Sequence, residues 1–175
     1  MSTEPALPET LHAWAIYLQA SEEARRRGDR RTGTDHILLA LFEDPSIELL
    51  LGVNLQQARQ ALESLDRQAL GALGLGSGTD APELPMRAVP KKPRLRDVVQ
   101  KDRPRPTPAA KKVLQDAVKP NRRKSQVTAQ QVLAQILTLE PPDPAAALLG
   151  ALGVNKSEVR GQLDLTERSG AEDPR

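Results

Sequence analysis

Three consecutive residues carry groups that could do chemistry: the hydroxyl of Thr34, the carboxylate of Asp35 and the imidazole of His36. They stand between Gly33 and the apolar run Ile37-Leu38-Leu39-Ala40-Leu41-Phe42, which is where a helix would begin. At such a start a hydroxyl caps orphan amides, a carboxylate meets the positive end of the helix dipole, and free N–H groups can hold an anion. Asp35 therefore reads as a dipole partner that can also receive a cation. His36 has no Ser or Cys partner in a recognisable pattern, so it reads as a helix-start residue bonded to nearby backbone rather than a catalytic base. Gly33 is expected to supply backbone angles that other residues resist. A related start, with Thr128 as the cap hydroxyl, opens the stretch Ala129-Gln130-Gln131-Val132-Leu133-Ala134-Gln135-Ile136.

Other chemistries are poorly served. The chain has no cysteine, and its two histidines, His12 and His36, make no zinc site without carboxylate help. No Gly-x-x-x-x-Gly-Lys-Ser/Thr phosphate loop occurs; Leu75-Gly76-Ser77-Gly78-Thr79 lacks both the spacing and the lysine. Neither a metal, a cofactor nor an enzymatic activity is expected. The N-terminus lacks a basic region followed by an apolar run, and no apolar stretch approaches the roughly 20 residues that span a bilayer. A soluble cytoplasmic protein without membrane contact is the expectation. The net charge of +2 hides an asymmetry. Residues Arg87 to Lys124 carry fourteen Lys or Arg against three Asp, net +11, while the remainder of the chain is −9. Arg87, Lys91, Lys92, Arg94, Arg96, Arg103 and Arg105 form the heart of this basic band.

The elements that must position these groups follow from apolar spacing. With one Trp, one Tyr and one Phe in 175 residues, the interior must be Leu, Ala and Val, which suits small packed helices. Residues 1–9 read as a flexible arm. Thr10 can cap a helix bearing Leu11, Trp14, Ala15 and Leu18, continued by Ala20 and Ala24 and closed by Arg25-Arg26-Arg27-Gly28. After the helix from Thr34, a turn at Asp44-Pro45-Ser46 leads to a short helix with Ile47, Leu50 and Leu51, ended by Gly52. Asn54 then caps a helix carrying Leu55, Ala58, Leu62 and Leu65, completing a first unit over 10–70. Residues 71–106 shift to Gly, Pro, Lys and Arg and read as a linker, flexible first and then extended. Thr107-Pro108 starts a second cycle over 107–165, with Ala110, Val113, Leu114 and Ala117 on its first helix. Val132, Leu133, Ile136 and Leu137 follow on the next. Pro141-Pro142-Asp143-Pro144 makes a turn, Leu148, Leu149 and Leu152 a short helix ending at Gly153, and Asn155 caps a helix with Val159 and Leu163. Residues 166–175 read as a disordered tail.

The second cycle repeats the first. Thr10 pairs with Thr107, Thr34 with Thr128, and Leu51-Gly52-Val53-Asn54 with Leu152-Gly153-Val154-Asn155, at offsets of 97, 94 and 101. The expected fold is all-α: two pseudo-symmetric four-helix repeats joined by a long basic, Pro-rich linker and packed as one domain.

The residues from Thr10 to Ala24, then Gly33-Thr34-Asp35-His36-Ile37-Leu38-Leu39 and Leu51-Gly52-Val53, resemble the first repeat of the N-terminal domain of Clp unfoldases. The ClpC type, with its Gly-Thr-Glu-His-Ile-Leu-Leu pattern, is the nearest of these. Thr107-Pro108-Ala109-Ala110-Lys111-Lys112-Val113-Leu114 resembles the start of that domain's second repeat, so the likeness runs over roughly residues 10 to 165. It implies a recruitment platform for substrates and adaptors, here free-standing because no ATPase module follows. It also implies a phosphoarginine pocket in each repeat, with Asp35 in place of the family's Glu and Ala129 at the corresponding position of repeat two. On this basis Thr34, Asp35, His36 and Thr128 are the candidate ligand-binding residues.

The expected function is a non-enzymatic protein- or peptide-binding module of the Clp proteolysis system. It would recruit, sequester or compete for substrates, adaptors or phosphoarginine-type ligands of a Clp unfoldase, with Clp components among its partners. The basic band reads first as a solvated linker and second as a grip for an acidic face. The alternative function is nucleic-acid association through residues 87–124, where basic charge would supply sequence-independent affinity. Against that, the band contains no aromatic residue to stack on bases and no recognition helix.

Overall fold

The computed structural model describes residues 11–74, 103–119 and 126–171, apart from the side chains at 11, 12, 126 and 166–171. Residues 1–9, expected to be an arm, most of the expected linker, and Arg87, Lys91, Lys92, Arg94 and Arg96 lie outside the described residues. Repeat one contains α1 (Ala13–Arg27), α2 (Thr34–Leu41), α3 (Pro45–Leu51) and α4 (Leu55–Ala72). Repeat two contains α5 (Pro108–Val118), α6 (Ala129–Leu137), α7 (Pro144–Ala151) and α8 (Lys156–Ala171). Four helices thus recur in the same order. Helix α8 runs through the first six residues of the stretch expected to be a loose tail.

The helix starts are set locally. Asp44, Asn54, Thr107, Thr128 and Asp143 each accept a backbone N–H of the first turn through the side chain. Asn155 does the same for Ser157 and Glu158. Gly28, with φ +79, ends α1 in the left-handed region that glycine enters without strain.

Four two-residue strands tie the repeats together. β1 (Leu11–His12) pairs antiparallel with β4 (Gln126–Val127), and β2 (Arg31–Thr32) pairs parallel with β3 (Arg105–Pro106). Each bridge joins the lead-in of one repeat's first helix to the lead-in of the other repeat's second helix. The tie is reinforced by Thr107 N donating to Thr32 O at 2.9 Å and by Thr32 Oγ1 donating to Pro104 O at 2.9 Å.

One apolar core serves both repeats. Leu38, Leu41, Val132, Leu133 and Ile136 are all buried, as their spacing predicts. Helix α2 is buried along its whole length rather than on one stripe, because it is wedged between α1 of its own repeat and α5, α6 and α7 of the other. In α1 the buried face is Ile16, Ala20 and Ala24, rotated from the Trp14-Ala15-Leu18 face expected from spacing. Leu11 and His12 belong to β1, so the helix begins two residues later than a Thr10 cap would require.

Candidate functional site

The structure corrects the way the two repeats match at the second helix. The N-cap of α2 is Gly33 and the N-cap of α6 is Thr128. Thr34 therefore corresponds to Ala129, Asp35 to Gln130 and His36 to Gln131, one residue away from the pairing of Thr34 with Thr128. Thr fits either at a cap or in the first turn, so sequence alone did not separate the two registers. In repeat two the cap is reciprocal: Thr128 Oγ1 accepts Gln131 N and Gln131 Oε1 accepts Thr128 N, both at 3.1 Å. In repeat one His36 does the part of Gln131, its Nδ1 accepting Gly33 N at 3.0 Å.

Gly33 has no side chain to complete the cap, and its backbone angles do not explain the glycine. With φ −89 and ψ −179 the backbone is ordinary extended chain. A Cβ there would lie 2.2 Å from Asp35 Oδ1. A side chain at this position meets the Asp35 carboxylate that folds back over it, and the conflict is with that carboxylate rather than with the backbone conformation.

Thr34 is also not a cap. It is 1% exposed, and its hydroxyl donates to Asp143 Oδ1 at 2.7 Å while accepting Ala145 N at 3.4 Å. It fastens α2 to the start of α7 across the interface between repeats. Its hydroxyl is spent on that contact.

Asp35 and His36 face a groove of about 650 Å³ bounded by the end of α1, the start of α2, α4 and α7. Arg27 reaches into it from α1, with Nη1 3.3 Å from Asp35 Oδ2, Nη2 on Asp66 and Nε 3.7 Å from Asp29. The neutral His36 ring accepts at Nδ1, which leaves Nε2–H to donate to Asp29 Oδ2 at 3.0 Å. When protonated, the ring turns an Nδ1 proton toward Asp35 Oδ1, 3.2 Å away. Burial works against the charge on Asp35, yet the His36 ring and the Arg27 guanidinium hold its pKa below the usual value. Burial alone would depress His36; the carboxylates of Asp35 and Asp29 outweigh it and raise the pKa. The buried carboxylate is charged, and a guanidinium already touches it.

Around this centre, Arg30 and Arg31 are exposed at the mouth and Thr107 contributes from the start of α5. The pairing of Arg31 with Arg105 brings that member of the basic band beside the groove, while Arg103 is exposed on the approach to β3. Thr128 caps the other repeat and does not line it. The contributions of Arg27, Asp29 and Asp66 were missed by sequence reasoning. By sequence Arg27 is only a cation at a helix end, and Asp66 lies 39 residues from it along the chain. No group of three or more His, Asp or Glu among the described residues is arranged to hold a metal ion. Nor is any of their helices long and apolar enough to cross a membrane.

Comparison with known proteins follows the same outline. A family model described as the Clp repeat (R) N-terminal domain matches residues 9–138. Chloroplastic chaperone protein ClpC2 of Oryza sativa subsp. japonica is 28% identical over 174 residues, covering 93% of this chain and 16% of the relative. The chloroplastic ClpA homolog, an ATP-dependent Clp protease ATP-binding subunit of Brassica napus, is 29% identical over 161 residues, covering 88% of this chain and 15% of the relative. This chain thus corresponds to a small part of each. The crystal structure of the N-terminal domain of the caseinolytic protease associated chaperone ClpD from Arabidopsis thaliana matches with a TM-score of 0.60 at 19% identity. That match covers 96% of this chain and 99% of the ClpD domain, so the fold is shared.

Proposed function

The chain belongs to the Clp repeat (R) N-terminal domain family, and from that premise we propose that it is a non-enzymatic binding module of Clp-dependent proteolysis. It recruits, sequesters or competes for the substrates and adaptors of a Clp unfoldase, in the cytoplasm where such an unfoldase would work. Its ligand is a peptide side chain that combines a guanidinium with an anion, phosphoarginine being the example, and it is held by repeat one alone.

The observation that carries this reading is the buried, charged Asp35 carboxylate in an open groove, already in contact with one guanidinium. Carboxylate and guanidinium match in charge and hydrogen-bonding geometry. Exposed Arg30 and Arg31 line the same groove, which supports the reading by supplying cationic charge for a phosphate. Gln130 supplies no carboxylate at the equivalent place in repeat two, so the two repeats differ in kind. A ligand guanidinium must share Asp35 with Arg27 or displace it, which makes a weak site the expectation.

Titration of the chain with phosphoarginine, followed by backbone amide shifts, tests this. Shifts confined to residues 27–36 and their loss in Asp35→Ala are the expected result. Equal shifts around Thr128, or none at either start, would overturn the reading.

A further inference from the structure

A second depression, of about 820 Å³, runs between α1 and α5 on a part of the surface that does not include Asp35. Trp14 and Tyr17 line it from one repeat, Leu114 and Val118 from the other. Trp14 is 61% exposed, although an indole is among the most favourable side chains to bury. A large exposed apolar group beside a groove is informative in a way that an exposed alanine is not. These are the chain's only Trp and only Tyr, with ring centroids 5.1 Å apart and planes inclined by 40°. The shelf is held in place: the Tyr17 hydroxyl donates to Pro104 O at 3.0 Å, and the same carbonyl accepts Thr32. The groove exists only where the repeats meet.

Its rim is basic. Lys111 lines the groove and Lys112 follows it, both exposed, and neither has a carboxylate within ion-pair distance among the described residues. Lys119 is paired with Asp116 at 2.6 Å. A volume of this size takes a few side chains rather than a folded domain.

We propose that this groove docks an acidic peptide segment of a partner protein, one apolar side chain packing against Trp14 between α1 and α5 and a flanking carboxylate pairing with Lys111. The charge on the rim selects the acid, and the aliphatic wall of Leu114 and Val118 selects the apolar anchor. A nucleic-acid strand fits less well. Asp116 stands inside the groove, and the inclined rings do not present parallel faces to successive bases. The two grooves share no lining residue, so a peptide here and phosphoarginine at Asp35 do not compete for the same side chains.

The single Trp provides the readout. The full chain is titrated with a capped peptide Glu-Asp-Leu-Phe-Glu-Leu-Asp while Trp14 emission is followed, and binding to variants is followed by anisotropy of the labelled peptide. A saturable blue shift is expected. Binding should be weakened about fivefold by Lys111→Glu, a charge reversal at the rim, and more than about tenfold by Trp14→Ala, which removes the anchor's partner. Trp14 is exposed, so that variant keeps its core; Asp35→Ala should leave peptide binding unchanged. Equal binding of a peptide with Lys in place of its acidic residues would overturn the proposal, as would indifference to both variants. A blue shift with an oligothymidylate but not with the peptide would reassign the groove to nucleic acid. One that grows with protein concentration alone would reassign it to self-association.

Discussion

Replacing Gly33 by alanine should reveal what holds the Asp35 centre together. Alanine adopts φ −89 and ψ −179 without strain, so the backbone raises no objection. The added methyl would sit 2.2 Å from Asp35 Oδ1, and that oxygen must retreat by roughly 1 Å to reach ordinary contact. Retreat takes the carboxylate away from His36, now 3.2 Å distant, and from Arg27, now 3.3 Å distant. Contacts to charged groups in such settings contribute about 1.5–3 kcal/mol each. A retreat of roughly 1 Å weakens these contacts without abolishing them, so about the worth of one is lost. Arg27 keeps Asp66 and Asp29, and Gly→Ala itself gives back about 0.4–1 kcal/mol by restricting the unfolded chain. A net loss of about 1–2 kcal/mol is expected, a few degrees in Tm for a domain of this size. The cycle with Asp35→Ala is decisive. Once the carboxylate is gone, the next neighbour of the Gly33→Ala methyl is His36 Nδ1 at 3.5 Å, an ordinary contact, and the substitution should be neutral or stabilising. Urea denaturation of the four proteins reads both numbers, with unchanged slopes as the sign that the unfolded state is the same. An equal cost in both backgrounds would refute a steric conflict with the carboxylate.

Stability should also track the ionisation of the centre. The folded pKa of His36 lies above its ordinary 6.5, so its contribution is full below that pH and is lost as pH rises through the folded value. That of Asp35 lies below its ordinary 3.8, so its contribution is present above that pH and is lost as pH falls. Around His36 stand Asp29 and Asp35, with Asp66, Arg27, Arg30 and Arg31 along the same groove. In a pH series of urea midpoints, His36→Gln, which installs the residue repeat two uses, should remove the alkaline loss and shrink the acid one, because the lost ring is the chief group holding the Asp35 carboxyl down. An unchanged alkaline slope would show that another group titrates there. Leu38→Ala, at a fully buried position of α2, should cost about 2–5 kcal/mol in the same assay, and a loss below about 0.5 would be incompatible with its burial. Thr34→Val should cost about 1–2 kcal/mol, because the Asp143 carboxylate loses its donor from the other repeat, although Asp143 and Ala145 keep the cap bond to each other. A near-zero cost would mean that the hydroxyl does not join them.

Local features carried most of the fold. Apolar residues recurring every three or four positions, caps such as Asn54 and Thr107, and stops such as Gly28 act within about one turn of themselves, so they can be read without the rest of the chain. Such features sufficed for the eight described helices, their order and most of the core. The register of the repeats at Thr128 was not local in this sense, since a threonine is equally at home at a cap and in the first turn. It took the observed caps, Gly33 and Thr128, to place Asp35 opposite Gln130. The face that α1 buries was likewise open: Trp14 and Ile16 are both apolar, and only the position of α2 decided that Ile16 goes inside and Trp14 stays out. Thr34 illustrates the same limit. Its sequence context suggests a cap, but its partner Asp143 is 109 residues away, and no periodicity reports a contact of that kind. Asp35 was legible as a carboxylate at a helix start. That it meets Arg27, and through it Asp66, depended on how α1 and α4 close over α2, because a charge's partners are set by distance in space and not along the chain.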